Sequence, residues 1–191
     1  GFNVGSELAA DGVAGLVMVN TQVATAAAVL GWAACEWIGK GKPSMLGGAS
    51  GAIAGLVAIT PACAVVGPAG ALVLGFVASC IAYWAVTSLK ASLGYDDSLD
   101  VFGIHGVAGI VGALGLAVLG AEKFGGTGDV TDIGAQFVIQ AQSIGITIVW
   151  CGVISFILFK IIDATMGLRV SEEDERTGLD STSHGESAYR S

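Results

Sequence analysis

D-V-F-G-I-H-G-V-A-G-I-V-G-A-L-G-L-A-V-L, residues 100–119, is the stretch that decides the fold. After its first residue, nineteen positions pass without a carboxylate, a lysine or an arginine. That is close to the ~20 apolar residues a helix needs to cross the hydrocarbon of a bilayer. Glycine recurs at every third position, at Gly103, Gly106, Gly109, Gly112 and Gly115. A three-residue repeat drifts around a helix of 3.6 residues per turn, so these glycines predict an inclined groove that lets neighbouring backbones approach closely. No strand precedes them and the spacing is not G-x-G-x-x-G, which excludes a dinucleotide loop.

Outward from this run, four more apolar segments follow the same logic. The spans are expected at 13–38, 45–60, 67–89, 101–119 and 133–167, the second short and glycine-rich, the last longer than one bilayer and so tilted or projecting. In the second, Gly47, Gly51 and Gly55 fall every fourth residue and mark one packing face. The composition agrees: 53% of the 191 residues are hydrophobic, 13% are charged and 30 are glycine. A soluble globular domain carries about a quarter charged residues, so the class is all-α, a polytopic helical membrane bundle, and a disordered chain or water-soluble enzyme is excluded. The net charge of −8 is local, because six of sixteen acids lie in the last twenty residues. Nothing resembles a basic nucleic-acid surface. Cys35, Cys63, Cys80 and Cys151 are scattered through apolar runs and read as small buried hydrophobes, without metal or disulfide spacing.

Basic residues set the orientation. Lys40, Lys42, Lys90, Lys160, Arg169, Arg176 and Arg190 fall on one side of this five-span arrangement and Lys123 alone on the other. The positive-inside rule makes the first side cytoplasmic, which puts the tail, 169–191, inside and the N-terminal GFNVGSE outside. The chain opens without Met or a signal-peptide pattern and is expected to be the C-terminal part of a longer polypeptide.

His105 is the exceptional residue. An ionisable side chain inside a span is costly and usually faces the protein interior or a water-filled path. At four-residue spacing it shares a helix face with Val101 and Gly109. In apolar surroundings the imidazolium is disfavoured, so a neutral ring is expected, with one donor and one acceptor suited to a small neutral polar solute. The alternative is a structural histidine hydrogen-bonded to a neighbouring helix. A metal site lacks a second ligand at suitable spacing in the same span. Asp100 reads as a helix N-cap, and the run Glu172, Glu173, Asp174, Glu175 reads either as a docking feature or as a solvated stretch.

The runs GFNVGSE (1–7), SGAIAGLVAITPAC (50–63), DVFGIHGVAGIVG (100–112), ITIVW (146–150) and GLRVSEEDERTGLDSTSHGESAY (167–189) resemble the C-terminal half of the ammonium transporter (Amt/Mep/Rh) family, most of all its bacterial Amt branch. The resemblance implies the ammonium-transporter fold, an inverted-repeat subunit of eleven helices. This chain would be the end of helix six through helix eleven, in a homotrimer with one pore per subunit. It implies Phe2 as one of two stacked phenylalanines closing the outer mouth. Ser6 would belong to the outer vestibule, His105 would be the second of two pore histidines, and Ile53 and Val101 would be apolar lining. The partners of these residues belong to the N-terminal half, so this chain alone should not transport.

The implied mechanism is recruitment of ammonium at the vestibule, deprotonation, passage of ammonia and reprotonation inside, in the cell (inner) membrane and with no cofactor. The tail implies docking of a PII-type signal protein at the cytoplasmic face. Alternatives are an ammonium sensor of the same fold and a generic small neutral-solute channel.

Overall fold

The computed structural model describes residues 1–187 and is helical throughout; among these residues the only extended pairing is an isolated bridge between Ala121 and Val130. Arg190, counted above for orientation, lies outside the described residues. A single turn, α1 (Phe2–Gly5), leads to α2 (Gly12–Lys40). Asp11 starts α2 by accepting the amides of Val13 and Ala14 at 2.9 and 3.1 Å, which relieves donors that have no partner in a first turn. Gly41 stops it in the left-handed conformation, φ 77°, where a side chain would be strained. Ser44 starts α3 (Met45–Ile59) by accepting the amide of Gly47 at 2.9 Å.

α4 (Pro68–Trp84) opens on a proline, tolerated in a first turn. It runs through a π-helical segment, Ala85–Leu89, into α5 (Lys90–Leu93), so this helix reaches one turn beyond residue 89. A second π-helical segment, Phe102–Val107, opens α6 (Ala108–Leu119). A 3₁₀ turn, Glu122–Phe124, then α7 (Ile133–Thr165), α8 (Glu172–Thr177) and α9 (Leu179–Thr182) complete the described chain. Four stretches, Gly12–Lys40, Pro68–Leu93, Phe102–Leu119 and Ile133–Thr165, are long and apolar enough to cross a membrane. At 1.5 Å per residue the 15 residues of α3 span only about 22 Å.

The chain divides into two compact units, Gly1–Ile144 and Gly145–Ser191. In the first, α2, α3 and α4 pack with many small side chains, Ala24, Ala28, Ala54, Ala58, Ala71 and Ala78 being wholly buried, beside larger ones such as Val17 and Trp32. The glycines act as two different surfaces. Gly47, Gly51 and Gly55 all meet α2. A β-carbon at Gly51 would lie 2.7 Å from Cβ of Trp32, and one at Gly55 2.5 Å from Cβ of Ala28. The α6 glycines meet two neighbouring helices. Gly103 meets Val86 and Gly115 meets Leu74, both on the continuous Pro68–Leu93 helix, while Gly112 meets the backbone of Ala58 on α3. Gly106 faces its own Phe102, and Gly109 makes only an ordinary contact with Val57. Close backbones maximise dispersion contacts, the main attraction left between helices in lipid.

Two buried polar groups fix the turns. Asn20 donates to the carbonyls of Cys63 and Val66 at 2.8 and 2.7 Å, serving backbone acceptors of the 60–67 turn that no helix serves. Glu36, 4% exposed, accepts the amide of Ser44 at 2.6 Å and its hydroxyl at 3.0 Å, with Lys40 at 3.7 Å. The bare Gly47 leaves room for that carboxylate.

The expectation of four buried cysteines holds for Cys63 alone. Cys35 and Cys80 are half-buried and Cys151 is exposed, because α7 buries none of its residues within this chain. In the second unit, Arg169 pairs with Glu175 and Arg176 with Glu172, each at 3.3 Å. Solvent screens exposed pairs of this kind, so each contributes at most about 1 kcal/mol.

Candidate functional site

His105 is presented by a π-helical segment, so the start of that segment sets where the ring goes. The cap is Asp97, not Asp100. Asp97 accepts the amides of Val101 and Phe102, both at 2.8 Å, one on each carboxylate oxygen. Asp100 adopts the left-handed conformation, φ 57°, and its carboxylate instead receives Lys90 at 2.7 Å. Lys90 also donates to the carbonyl of Asp97. One ammonium therefore ties both ends of the capping turn. The sequence alone points to Asp100, the residue directly before the span, as the cap; the structure gives it to Asp97, three residues earlier.

The wide turns of the π segment change which residues share a face. His105 lines a cavity of about 470 Å³ together with Phe2, Asn3, Thr21, Ile53 and Thr60, with Leu56 and Val57 completing the wall. Three of the five expected pathway residues, Phe2, Ile53 and His105, thus come together. Val101 does not reach this cavity and is 52% exposed. Ser6 lies outside it as well, its hydroxyl donating to the carbonyl of Phe2 at 2.8 Å.

Among the described residues nothing hydrogen-bonds the His105 ring, so this chain does not make the structural contact considered as the alternative. The ring is exposed within this chain. The burial expected to keep it neutral is therefore not supplied by these residues.

The cavity also contains polar residues that sequence reasoning missed. Asn3 donates from Nδ2 to Thr21 Oγ1 at 3.1 Å, and the Thr60 hydroxyl reaches Asn3 Oδ1 at 3.2 Å. Asn3 belongs to α1, Thr21 to α2, and Thr60 closes α3, so the carboxamide joins three elements. Asn3 stands beside Phe2 in the quoted GFNVGSE run, the only signal that pointed toward it.

Elsewhere, a cavity of about 540 Å³ between Ala121 and Gly134 holds none of the candidate residues. No group of three His, Cys, Asp or Glu side chains is disposed to hold a metal among the described residues. The acidic run Glu172, Glu173, Asp174 and Glu175 forms the first turn of α8, started by Ser171, whose hydroxyl oxygen accepts the amide of Asp174 at 3.1 Å. Negative charge at that end of a helix is favourable, a local reason for the run.

With this geometry in view, three comparisons bear on the chain. The model of the Ammonium Transporter Family matches residues 1–189. An ammonium transporter of Bacillus subtilis (strain 168) is 44% identical over 193 residues, covering 100% of this chain and 48% of that protein. One from Aquifex aeolicus (strain VF5) is 46% identical over 190 residues, covering 99% and 45%. Among solved structures, a Sensor Amt Protein superposes with a TM-score of 0.84 at 27% identity, covering 95% of this chain and 45% of its own. The chain spans about half the length of the curated relatives it matches.

Proposed function

We propose that this chain, which belongs to the ammonium transporter family and not to a family of enzymes, is the C-terminal half of a subunit that moves ammonium across a membrane. The observation that carries the reading is the cavity where Phe2, Ile53 and His105 meet in mostly apolar surroundings. Residues 1–168 form the membrane part and 169–191 a cytoplasmic tail, with orientation fixed by the basic residues. The other wall of the cavity, with a second histidine, comes from the N-terminal half of the same protein. The complete subunit works as a homotrimer in the cell membrane.

Charge decides the mechanism. An unpaired ion in a low-dielectric path costs tens of kcal/mol in the idealised limit. Ammonium escapes that cost by leaving its proton behind, which potassium cannot do. Ser6 and aromatic faces collect the ion outside, the latter by cation–π attraction. It loses its proton near Phe2, and ammonia then exchanges hydrogen bonds with His105 and is reprotonated inside. Uptake is electrogenic in this reading, the proton crossing separately.

The test is flux and current from the complete subunit in liposomes on solid-supported membranes. Ammonium should give both and potassium neither. Ammonia flux without current would remove the electrogenic step. Equal passage of potassium would favour a generic channel, and binding without flux would favour a sensor, the reading suggested by likeness to the Sensor Amt Protein.

The tail, including Glu172, Glu173, Asp174 and Glu175, docks a PII-type signal protein at the cytoplasmic face. Removing the residues after Arg169 should abolish co-purification with such a protein; undiminished binding would place the docking surface elsewhere.

A further inference from the structure

His105 sits in the middle of a π-helical segment, Phe102–Val107. Such a segment holds one residue more than an α-helix needs and is rare. It persists where both ends are fixed, because a loose end can pass the extra residue into the adjoining loop. The C-terminal end is fixed by packing: Ala108 is wholly buried, and Gly112 lies against the backbone of Ala58. The N-terminal end is more open, with Val101 and Phe102 exposed. Tyr95 meets Phe102 edge to face at 5.7 Å, but it belongs to the 94–99 loop and moves with it.

The polar tie from outside that loop is Lys90. It stands on α5, and its ammonium donates to the carbonyl of Asp97 and to the carboxylate of Asp100, the latter at 2.7 Å. The lysine side chain is 28% exposed. Asp97 caps the amides of Val101 and Phe102. Asp100, at φ 57°, holds a left-handed conformation that is costly without glycine and persists only where the surroundings impose it. One step back along the chain, Val86 of the first π-helical segment meets Gly103, so the helix that carries Lys90 also touches the segment that carries His105.

We propose that Lys90 is a positioning residue for conduction: by pinning the Asp97–Asp100 turn it keeps the extra residue inside the π-helical segment and so holds the His105 ring at the cavity. The inference rests on the proposed ammonium transport and deepens it, giving a role to a lysine that does not itself line the cavity. Without the tie the left-handed turn relaxes. A slip of one residue then rotates the ring by about 100° around the helix axis.

The experiment compares Lys90→Met and Lys90→Arg in the complete subunit, reconstituted in liposomes and pulsed with ammonium chloride or methylammonium chloride, with flux normalised to protein recovered folded by gel filtration. Methionine keeps an unbranched stem and removes the charge; arginine keeps a charge with several donors. Maximal ammonium flux should fall about fivefold in Lys90→Met, the upper end for an ion pair that solvent partly screens. Lys90→Arg should stay within about twofold of the parent. Two readouts separate positioning from lost folding or lost local charge. The ratio of methylammonium to ammonium flux should change by at least about threefold, because one extra carbon makes passage sensitive to the place of the wall. In a His105→Leu background, adding Lys90→Met should change ammonium flux by less than about twofold, since the ring it acts through is gone.

Parent-like flux in Lys90→Met overturns the assignment. So does a fall with an unchanged flux ratio, and so does an equal loss in Lys90→Arg, since the charge would not be the cause. A further fall of the full size in the His105→Leu background places the action of Lys90 elsewhere and overturns it too. Where His105→Leu passes too little ammonium to compare, the flux ratio decides. If Lys90→Met yields no folded subunit, Lys90→Gln replaces it: its shorter, neutral donor predicts an intermediate fall, and unchanged flux again overturns the proposal. A parent subunit that passes no ammonium defeats the transport reading itself. A conducting parent with an unaffected Lys90→Met defeats this inference alone.

Discussion

His105→Leu, in the complete subunit, is expected to lower ammonium flux by at least about tenfold or to change which solutes pass. Leucine matches the ring roughly in size and removes both nitrogens, so the shape of the cavity is kept while its donor and acceptor disappear. One lost hydrogen bond of about 1–1.5 kcal/mol already corresponds to roughly that factor. The effect belongs to the ring itself, because no described side chain bonds to it and no structural contact is lost with it. Flux measured in liposomes beside potassium permeability separates the outcomes. If both stay at parent values, His105 plays no part in conduction.

Gly112→Ala is the second large effect, and it concerns stability. A β-carbon there would lie 2.8 Å from the carbonyl carbon of Ala58 and closer still to its oxygen, both of them backbone atoms that cannot rotate away. The same holds for Gly75, where a β-carbon would meet the backbone of Ala24, its carbonyl carbon at 2.8 Å. Overpacking costs typically 1–3 kcal/mol and occasionally more. Backbone on both sides puts each substitution at about 3 kcal/mol, against a total stability of order 5–15 kcal/mol. Gly109→Ala is the control, since a β-carbon there would stand 3.7 Å from Val57 Cγ1, an ordinary contact. Thermal unfolding followed by gel filtration should show a clearly lowered midpoint for Gly75→Ala and Gly112→Ala and little change for Gly109→Ala. Equal midpoints for all three would mean that the crossings relax at little cost.

The helices were legible because an apolar run of sufficient length has few other solutions. The close approaches of the glycines were legible too: the repeat forecast a groove for neighbouring backbones, and Gly103 and Gly115 meet the Pro68–Leu93 helix while Gly112 meets α3. The π-helical segments were not. Nothing in A-V-T-S-L or F-G-I-H-G-V announces an extra residue per turn, and nothing in the sequence shows that Asp97, not Asp100, accepts the first amides of that helix. The polar contacts around Thr21 were hidden for another reason. Asn3 lies 18 residues from Thr21 and 57 from Thr60, and no local periodicity links positions so far apart. Exposure of Cys151 escaped notice because an apolar helix reads the same whether its neighbours belong to this chain or not.

α3 has a further meaning in a bilayer. At about 22 Å it is shorter than the ~30 Å of hydrocarbon around it, and Ile53, Leu56 and Val57 of this helix line the cavity. Helix α3 alone therefore does not cover the full depth of the hydrocarbon. Under the proposed transport, the anhydrous leg of a permeant's journey would be set by the shortest wall of its path, not by membrane thickness.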